Sequence, residues 1–171
     1  MPNHWISHRG LDEKATENTE AAFDAAFGVG FEHLETDLRS TADGGLVLHH
    51  DAHLSRTAGR SARIDSISFS DFQQVRYLDG QPALTLERFA QRFAGARWIL
   101  DIKPEHAIRT LRSLKHWAEQ AEMLEWLLGN TRFLLWRPQH EIAQKTQMPG
   151  AETLAGAAEC RRAGLSAFLG M

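Results

Sequence analysis

Residues 33–39 read HLETDLR, and this short stretch decides how the rest of the chain is interpreted. Side chains of a strand alternate between its two faces, so Glu35 and Asp37 share one face while Leu34 and Leu38 lie on the other. Buried charges are costly unless they pair with each other, bind a metal or face a water-filled cavity. The stretch therefore predicts a strand that carries a functional face.

A second stretch, WILDIK at residues 98–103, repeats this arrangement. Asp101 and Lys103 share one face, and the opposite face is mostly apolar. If the two strands are neighbours, Glu35, Asp37 and Asp101 converge at the strand ends. Three such carboxylates form a hard oxygen site of the kind that Mg²⁺ or Ca²⁺ prefers.

Segments of strand period alternate with segments of helical period along the chain, which is typical of an α/β fold with a parallel sheet. We expect strands at 4–8, 33–39, 98–103, 132–136 and 152–155, with the start of another at 168–171. We expect helices after Asn18 or Thr19, and over 85–93, 105–128, 139–147 and 157–163.

Two of these helices have a predicted apolar face. The first has the apolar stripe Ala22, Phe23, Ala26 and Phe27, and it ends at Gly28 and Gly30. The helix over 105–128 ends at Gly129, and its predicted inward side chains are Ile108, Leu111, Leu114, Ala118 and Ala121.

Residues 46–82 are predicted to form a hairpin and a loop insertion, with one short helix around 71–77. The turn residues at 43–45 precede a short apolar run that ends at His50 and Asp51. We interpret residues 1–171 as a single domain, because 171 residues with 43% hydrophobic content suffice for one core.

The composition excludes several classes of partner. The net charge is −3, and no basic run follows the pattern of a nucleic-acid-binding surface. No stretch reaches the roughly 18 to 20 apolar residues that a membrane span needs, so we expect no stable membrane insertion. Cys160 is the single cysteine, which rules out an internal disulfide. The N-terminus has no secretory-signal pattern, so we expect a cytoplasmic protein.

Two histidines flank the predicted carboxylate site, His8 at the end of the first strand and His50 at the end of the hairpin. Imidazole exchanges protons near neutral pH, so two of them could divide the roles of base and acid. Arg9 and Lys103 could neutralise phosphoryl oxygens, as a metal would. These residue types together point to phosphodiester cleavage, although Arg9 and Lys103 could instead be structural ion-pair partners of the carboxylates.

Several separated motifs resemble the glycerophosphodiester phosphodiesterase family in order and spacing. They are His8-Arg9-Gly10, Glu17-Asn18-Thr19 with Ala22-Phe23, Glu35-Thr36-Asp37, Thr41-Ala42-Asp43-Gly44, His50-Asp51 with Leu54 and Arg56-Thr57, and Leu100-Asp101-Ile102-Lys103-Pro104. The chain departs from the family pattern at Asp101, where the family usually has Glu, and at Thr16, where it usually has Pro.

The resemblance implies metal-dependent hydrolysis of glycerophosphodiesters to glycerol 3-phosphate and an alcohol. Carried over by position, it implies that His8 and His50 are the acid/base pair. It also implies that Glu35, Asp37 and Asp101 hold Mg²⁺ or Ca²⁺, and that Arg9 and Lys103 contact the phosphate.

The resemblance also implies a TIM-type (β/α) barrel, and such barrels usually need about 250 residues. Our count gives about five to six strands, so we expect an incomplete α/β barrel with a loop insertion after the second strand. A homo-oligomer could cover its open end. Two alternatives to a glycerophosphodiester phosphodiesterase remain. The first is an inactive barrel fragment or a module that binds a phosphorylated ligand. The second is a related barrel phospholipase, phospholipase D-like, that acts on lysophospholipids or sphingomyelin.

Overall fold

The structure is a computed structural model, and it describes residues 5–135. In chain order the elements are β1 (Ile6–His8), α1 (Glu20–Gly28), β2 (His33–Ser40), β3 (Leu46–Leu48), α2 (Ser55–Ala58), a 3₁₀ helix (Ile64–Ser66), α3 (Phe69–Gln73), β4 (Leu84–Thr85), α4 (Leu86–Phe93), β5 (Arg97–Ile102), α5 (Ala107–Gln120), α6 (Leu124–Asn130) and β6 (Thr131–Leu134). The strands predicted at 152–155 and 168–171 and the helices predicted at 139–147 and 157–163 lie outside the described residues.

Strand β2 lies at the centre of a mixed sheet of six strands. It pairs in parallel with β1 through its first residues and with β5 along most of its length, and it pairs antiparallel with β3 through its last residues. Strand β4 extends the sheet beyond β3, and β6 extends it beyond β5. Because parallel strands end at the same edge, the ends of β1, β2 and β5 bring their side chains together.

Helix α1 begins where the sequence predicts, because the Thr19 side chain accepts a hydrogen bond from the backbone N–H of Ala22. Ala22, Phe23 and Ala26 are buried, as expected. Phe27, the fourth residue of the apolar stripe, lies at the edge of the core, because its side chain is 44% exposed while its ring centroid lies 6.2 Å from that of Phe93.

Aromatic side chains fill the space between α1, α4 and the sheet. Phe23, Phe89, Phe93 and Trp98 are almost fully buried. The Phe89 ring lies 4.9 Å from Phe23 and 5.0 Å from Trp98, measured between ring centroids. Burying a side chain of this size contributes about 1.5–3 kcal/mol, so this cluster fixes how the helices pack behind the functional strands.

The single long helix predicted over 105–128 is wrong, because the structure has two helices there, α5 and α6. Glu122 between them adopts a positive φ of 54°, which ends the α-helical path. The predicted stop at Gly129 is also wrong, since α6 continues to Asn130. Of the predicted inward residues, Ile108 is 42% exposed and Ala121 is also exposed.

Residues 46–82 contain more helix than the sequence predicts. Strand β3 is followed by α2, the 3₁₀ helix and α3, where one short helix was expected. Helix α3 begins earlier than predicted because the Ser68 side chain accepts from the Asp71 N–H and caps it. This segment has a hydrophobic cluster of its own, made of Val47, Leu54, Ile64, Phe72, Val75 and Tyr77.

Within residues 5–135, no helix has both the length and the apolar character needed to cross a bilayer.

Candidate active site

The three predicted carboxylates meet at the ends of β2 and β5. Asp37 lies directly opposite Asp101 in the parallel register, and Glu35 is two residues before Asp37 on the same face. One carboxylate oxygen from each of the three residues lies within 4.8 Å of the others. Glu35 and Asp37 are buried. The spatial convergence predicted from the sequence is therefore present.

Asp37 is surrounded by donors. Its Oδ1 lies 2.7 Å from Lys103 Nζ, and its Oδ2 lies 2.9 Å from Arg9 Nε. The Asn18 amide also donates to Oδ2, at 2.8 Å. Burial acts to raise the pKa of Asp37, but the attraction of Lys103 and Arg9 outweighs it and lowers the pKa below its usual range. Asp37 is therefore ionised at neutral pH.

Lys103 links two of the carboxylates, because its ammonium lies 2.7 Å from both Asp37 Oδ1 and Asp101 Oδ2. Burial acts to lower the pKa of Lys103, yet the two carboxylates raise it, so the ammonium stays charged. Arg9 and Lys103 thus pair with the carboxylates, which is the structural interpretation left open above. Such pairing still leaves both cations next to any phosphate that binds there.

Glu35 is the member of the cluster that the protein leaves poorly compensated. Its Oε2 is buried and accepts no hydrogen bond within the described chain. Burial, followed by the repulsion of Asp37 and Asp101, raises its pKa well above the usual range. A buried oxygen that lacks a donor, with two more carboxylates within reach, fits the hard oxygen ligands that a divalent cation requires.

His8 lies beside this cluster at the end of β1. Its Nε2 is 3.8 Å from Glu35 Oε2, and about a third of its side chain is exposed. Burial, and then the nearby Arg9 guanidinium, lowers the pKa of His8 below its usual value. The ring is therefore neutral at pH 7 and able to accept a proton.

His50 is placed by the hairpin and oriented by the residue that follows it. The His49 N–H donates to the Asp37 carbonyl at 3.0 Å, which anchors the end of β3 beside the cluster. The His50 Nδ1 lies 2.7 Å from Asp51 Oδ1. Because an ionised carboxylate can only accept, Nδ1 carries the hydrogen and Nε2 is left for chemistry. His50 is 37% exposed, so a substrate can reach it.

A chain of ion pairs connects Asp51 to the loop after β1. Arg56 Nε donates to Asp51 Oδ2 at 2.7 Å, and Arg56 Nη2 donates to Glu17 Oε1 at 2.5 Å. Glu17 in turn lies 3.5 Å from Arg9 Nη1. Burial acts to raise the pKa of Asp51, but the hydrogen bonds from Arg56 and His50 bring it far below the usual range. Ion pairs thus connect the loop that follows His8 to the segment that follows His50.

His49, next to His50 in the chain, has a structural role. It is 2% exposed, with Nδ1 bonded to the Asp51 carbonyl at 2.8 Å and Nε2 to Thr57 Oγ1 at 2.9 Å. Burial lowers its pKa. It is a neutral core side chain with both ring nitrogens occupied.

Sequence reasoning missed four residues of the site. The sequence indicates Asn18 as a possible helix cap, yet its side chain donates to Asp37 and accepts from Thr36. Asp51 and Arg56 belong to one of the family-like motifs, but the sequence indicates no individual role for either residue. Arg39 donates to the main-chain carbonyl oxygen of His50, and strand alternation indicates it because it is two residues beyond Asp37 on the same strand.

A cleft of about 290 Å³ lies beside the Glu17 and Arg56 pair. Its walls are Asp12, Thr16, Glu17, Arg56, Thr57, Leu78 and Asp79.

Known proteins resemble this chain over most of its length. Residues 8–152 match the model of the Glycerophosphoryl diester phosphodiesterase family. The "Probable glycerophosphodiester phosphodiesterase 2" of Mycobacterium tuberculosis is 34% identical over 104 residues, which cover 60% of this chain and 39% of that protein. The "Lysophospholipase D GDPD1" of Rattus norvegicus is 38% identical over 66 residues, covering 39% and 21%. The matched stretch spans less than half the length of either relative.

Solved structures show the same fold. The crystal structure of glycerophosphodiester phosphodiesterase from Agrobacterium tumefaciens matches with a TM-score of 0.72 at 24% identity, covering 86% of this chain and 63% of that one. The enzyme structure from Thermotoga maritima matches with a TM-score of 0.59 at 17% identity, covering 94% and 89%. The predicted fold class is confirmed: the six-stranded sheet with its helices is consistent with an incomplete TIM-type barrel.

Proposed function

Since the chain belongs to the glycerophosphoryl diester phosphodiesterase family, we propose that it hydrolyses glycerophosphodiesters to glycerol 3-phosphate and an alcohol. The observation that carries this proposal is the buried carboxylate cluster, in which Glu35 Oε2 has no hydrogen-bond donor within the described chain. The name of the relative from Mycobacterium tuberculosis supports the same reaction.

In this proposal Glu35, Asp37 and Asp101 hold a divalent cation, Mg²⁺ or Ca²⁺. When bound, the ion would neutralise charge on the phosphoryl oxygens. Arg9 and Lys103, which already border the cluster, would contact the same oxygens as charge-assisted donors.

The two histidines would move the protons. His8, kept neutral by its surroundings, would take the proton of the attacking water or glycerol hydroxyl as its oxygen bonds to phosphorus. His50 would act as the acid in the form that carries a hydrogen on both ring nitrogens: it would give the Nε2 proton to the alcohol oxygen as the bond from phosphorus to that oxygen breaks, and keep the Nδ1 hydrogen that bonds to Asp51. Attack by water gives glycerol 3-phosphate and the free alcohol directly. Attack by the glycerol hydroxyl gives the free alcohol and a cyclic glycerol phosphate, which a water molecule would then open to glycerol 3-phosphate with the two histidine roles exchanged.

The test is turnover of glycerophosphocholine by the purified chain with added Mg²⁺ or Ca²⁺, measured as glycerol 3-phosphate released. We expect activity that His8→Ala and His50→Ala both abolish, and that His116→Ala, an exposed histidine on α5, retains. Wild-type turnover no higher than that of His8→Ala would refute the proposal and leave a phosphate-binding module as the remaining interpretation. Size-exclusion chromatography of the same sample tests the predicted self-association.

A second candidate is a barrel phospholipase of the phospholipase D type. The relative from Rattus norvegicus carries the name lysophospholipase D, and its match includes 39% of this chain. Assaying lysophosphatidylcholine beside glycerophosphocholine separates the two candidates. The higher kcat/KM identifies the preferred substrate class.

A further inference from the structure

Arg39 is a buried cation near His50 that neither the proposed reaction nor the carboxylate cluster uses. Its side chain is 8% exposed. Its Nε and Nη2 both donate to the main-chain carbonyl oxygen of His50, at 3.0 Å and 2.6 Å. Its Nη1 donates to Glu105 Oε2 at 2.9 Å.

The geometry of the Arg39 guanidinium is suited to binding a carbonyl oxygen and a carboxylate at the same time. Its donors form a rigid planar fork, so two of them can hold one carbonyl oxygen while a third reaches a carboxylate. A buried charge is costly unless it is paired and hydrogen-bonded, and here three donors have acceptors. A lysine ammonium at this position could not present the same planar fork.

Glu105 connects this arrangement to the other side of the site. It lies two residues after Lys103, whose N–H donates to the Leu38 carbonyl at 3.2 Å. Arg39 is a residue of β2. Its side chain therefore links Glu105, which follows β5, to the main-chain carbonyl of His50. The backbone of His50 is therefore held by a buried guanidinium, which is itself paired with a half-exposed carboxylate.

From this geometry we infer that Arg39 is a positioning residue for His50: it fixes the main-chain carbonyl, so the imidazole stays aligned with Asp51 and presents Nε2. Glu105 holds the guanidinium in place. The importance of this role for catalysis rests on the proposed function, but the position of the ring does not. Small displacements of catalytic groups reduce rates strongly.

The test substitutes Arg39→Lys and observes the His50 ring directly. In protein carrying ¹⁵N-labelled histidine, the signals of His50 are assigned by their loss in His50→Gln, and the nitrogen shifts report which ring nitrogen carries the hydrogen. We expect His50 of the wild type to carry it on Nδ1, and that of Arg39→Lys to show a mixture of tautomers. The matched control is Arg109→Lys, an arginine on α5 that donates to Ser40 rather than to His50.

Kinetics give a second readout that a purely structural role would not produce. In Arg39→Lys we expect kcat to fall about tenfold or more while KM changes less than about twofold, because substrate binding is retained and alignment is lost. Arg109→Lys is expected to keep both constants. An Arg39→Lys protein with an unchanged His50 spectrum and unchanged kcat would overturn the inference.

Two other experimental results would also be interpretable: an Arg39→Lys variant that does not fold, and a wild type without activity. If Arg39→Lys does not fold, Glu105→Gln takes its place, because it keeps the arginine and removes the charge that holds it; an unaltered His50 spectrum in that variant overturns the inference. If the wild type hydrolyses no diester at all, the proposed function fails, while the His50 spectrum still decides whether Arg39 positions the ring.

Discussion

Among single residues, Glu35 is where metal binding should be most visible. Without a metal its carboxylate is buried and repelled by Asp37 and Asp101. We expect Mg²⁺ or Ca²⁺ to raise the thermal midpoint of the wild type, and to do so much less for Glu35→Gln, which loses a charged ligand. Thermal unfolding with and without metal measures this, with Glu119→Gln on α5 as a control that keeps the full metal effect.

The rise in the thermal midpoint that the metal causes should depend on pH. The pKa of Glu35 is raised in the folded chain, so without metal its ionisation costs stability as the pH rises above about 4.3, its value in an unfolded chain. Metal binding must displace that proton, so the metal-induced shift should be larger at pH 7 than at about pH 5. A shift of equal size at both values would argue against Glu35 as a ligand.

Asp51 should show the opposite dependence. Its pKa is depressed in the folded chain by Arg56 and His50 against the opposing effect of burial, so its contribution to stability is present above about pH 3.9 and is lost as the pH falls further. We expect Asp51→Asn to be less stable than the wild type at pH 7, and the difference in the free energy of unfolding to shrink steadily as the pH falls below about 3.9. Chemical denaturation at several pH values measures the difference, and Asp12→Asn, an exposed neighbour, should show little at any pH.

The sequence predicts the site well where the backbone is regular. Strand alternation places Glu35 and Asp37 together, and the same rule applied to the next strand places Asp101 and Lys103. The loops have no such period. Arg9 and Asn18 adopt positive φ values of 62° and 56°, and no local pattern indicates that this turns their side chains onto Asp37.

Among the helices and strands, the junction between β1 and α1 depends on one glycine. Gly10 has a φ of 88°, and an added Cβ would lie 2.6 Å from the backbone of Ala22. We expect Gly10→Ala to lower the free energy of unfolding by about 2 kcal/mol or more, because it combines backbone strain with a collision. Urea denaturation measures this change.

The matched control is Gly129→Ala in α6, where an added Cβ meets nothing within 4 Å. That change should stabilise the chain by up to about 1 kcal/mol, because alanine is the better helix former. Equal effects of the two substitutions would contradict the close approach of α1 to the loop after β1.

Element boundaries show what periodicity can and cannot predict. The pattern of Leu111, Leu114 and Ala118 identifies the buried face of α5 correctly. It does not indicate the break after Gln120, because the apolar spacing continues through Leu124 and Leu127 while the backbone turns at Glu122. A break of this kind is set by how the two helices pack on the sheet, which is tertiary information.

For the molecule as a whole, stability should depend on the aromatic cluster behind the sheet. Phe89 packs against Phe23, Phe93 and Trp98. We expect Phe89→Ala to cost about 3–5 kcal/mol, the usual range for a buried phenylalanine. Phe27→Ala, at the exposed edge of the same cluster, should cost about 1 kcal/mol or less. Similar losses for both in denaturant unfolding would contradict the burial difference.

The pairing of β2 with three other strands also determines how its backbone amides exchange with solvent. Its amide groups cannot separate from their partners in small steps, because β1, β3 and β5 hold both of its edges. In a hydrogen–deuterium exchange experiment, the amides of β2 should therefore exchange only through complete unfolding. The amides of the helix ends and loops should exchange much earlier. Since Glu35 and Asp37 belong to that strand, heat should destroy the carboxylate site and the fold in a single event.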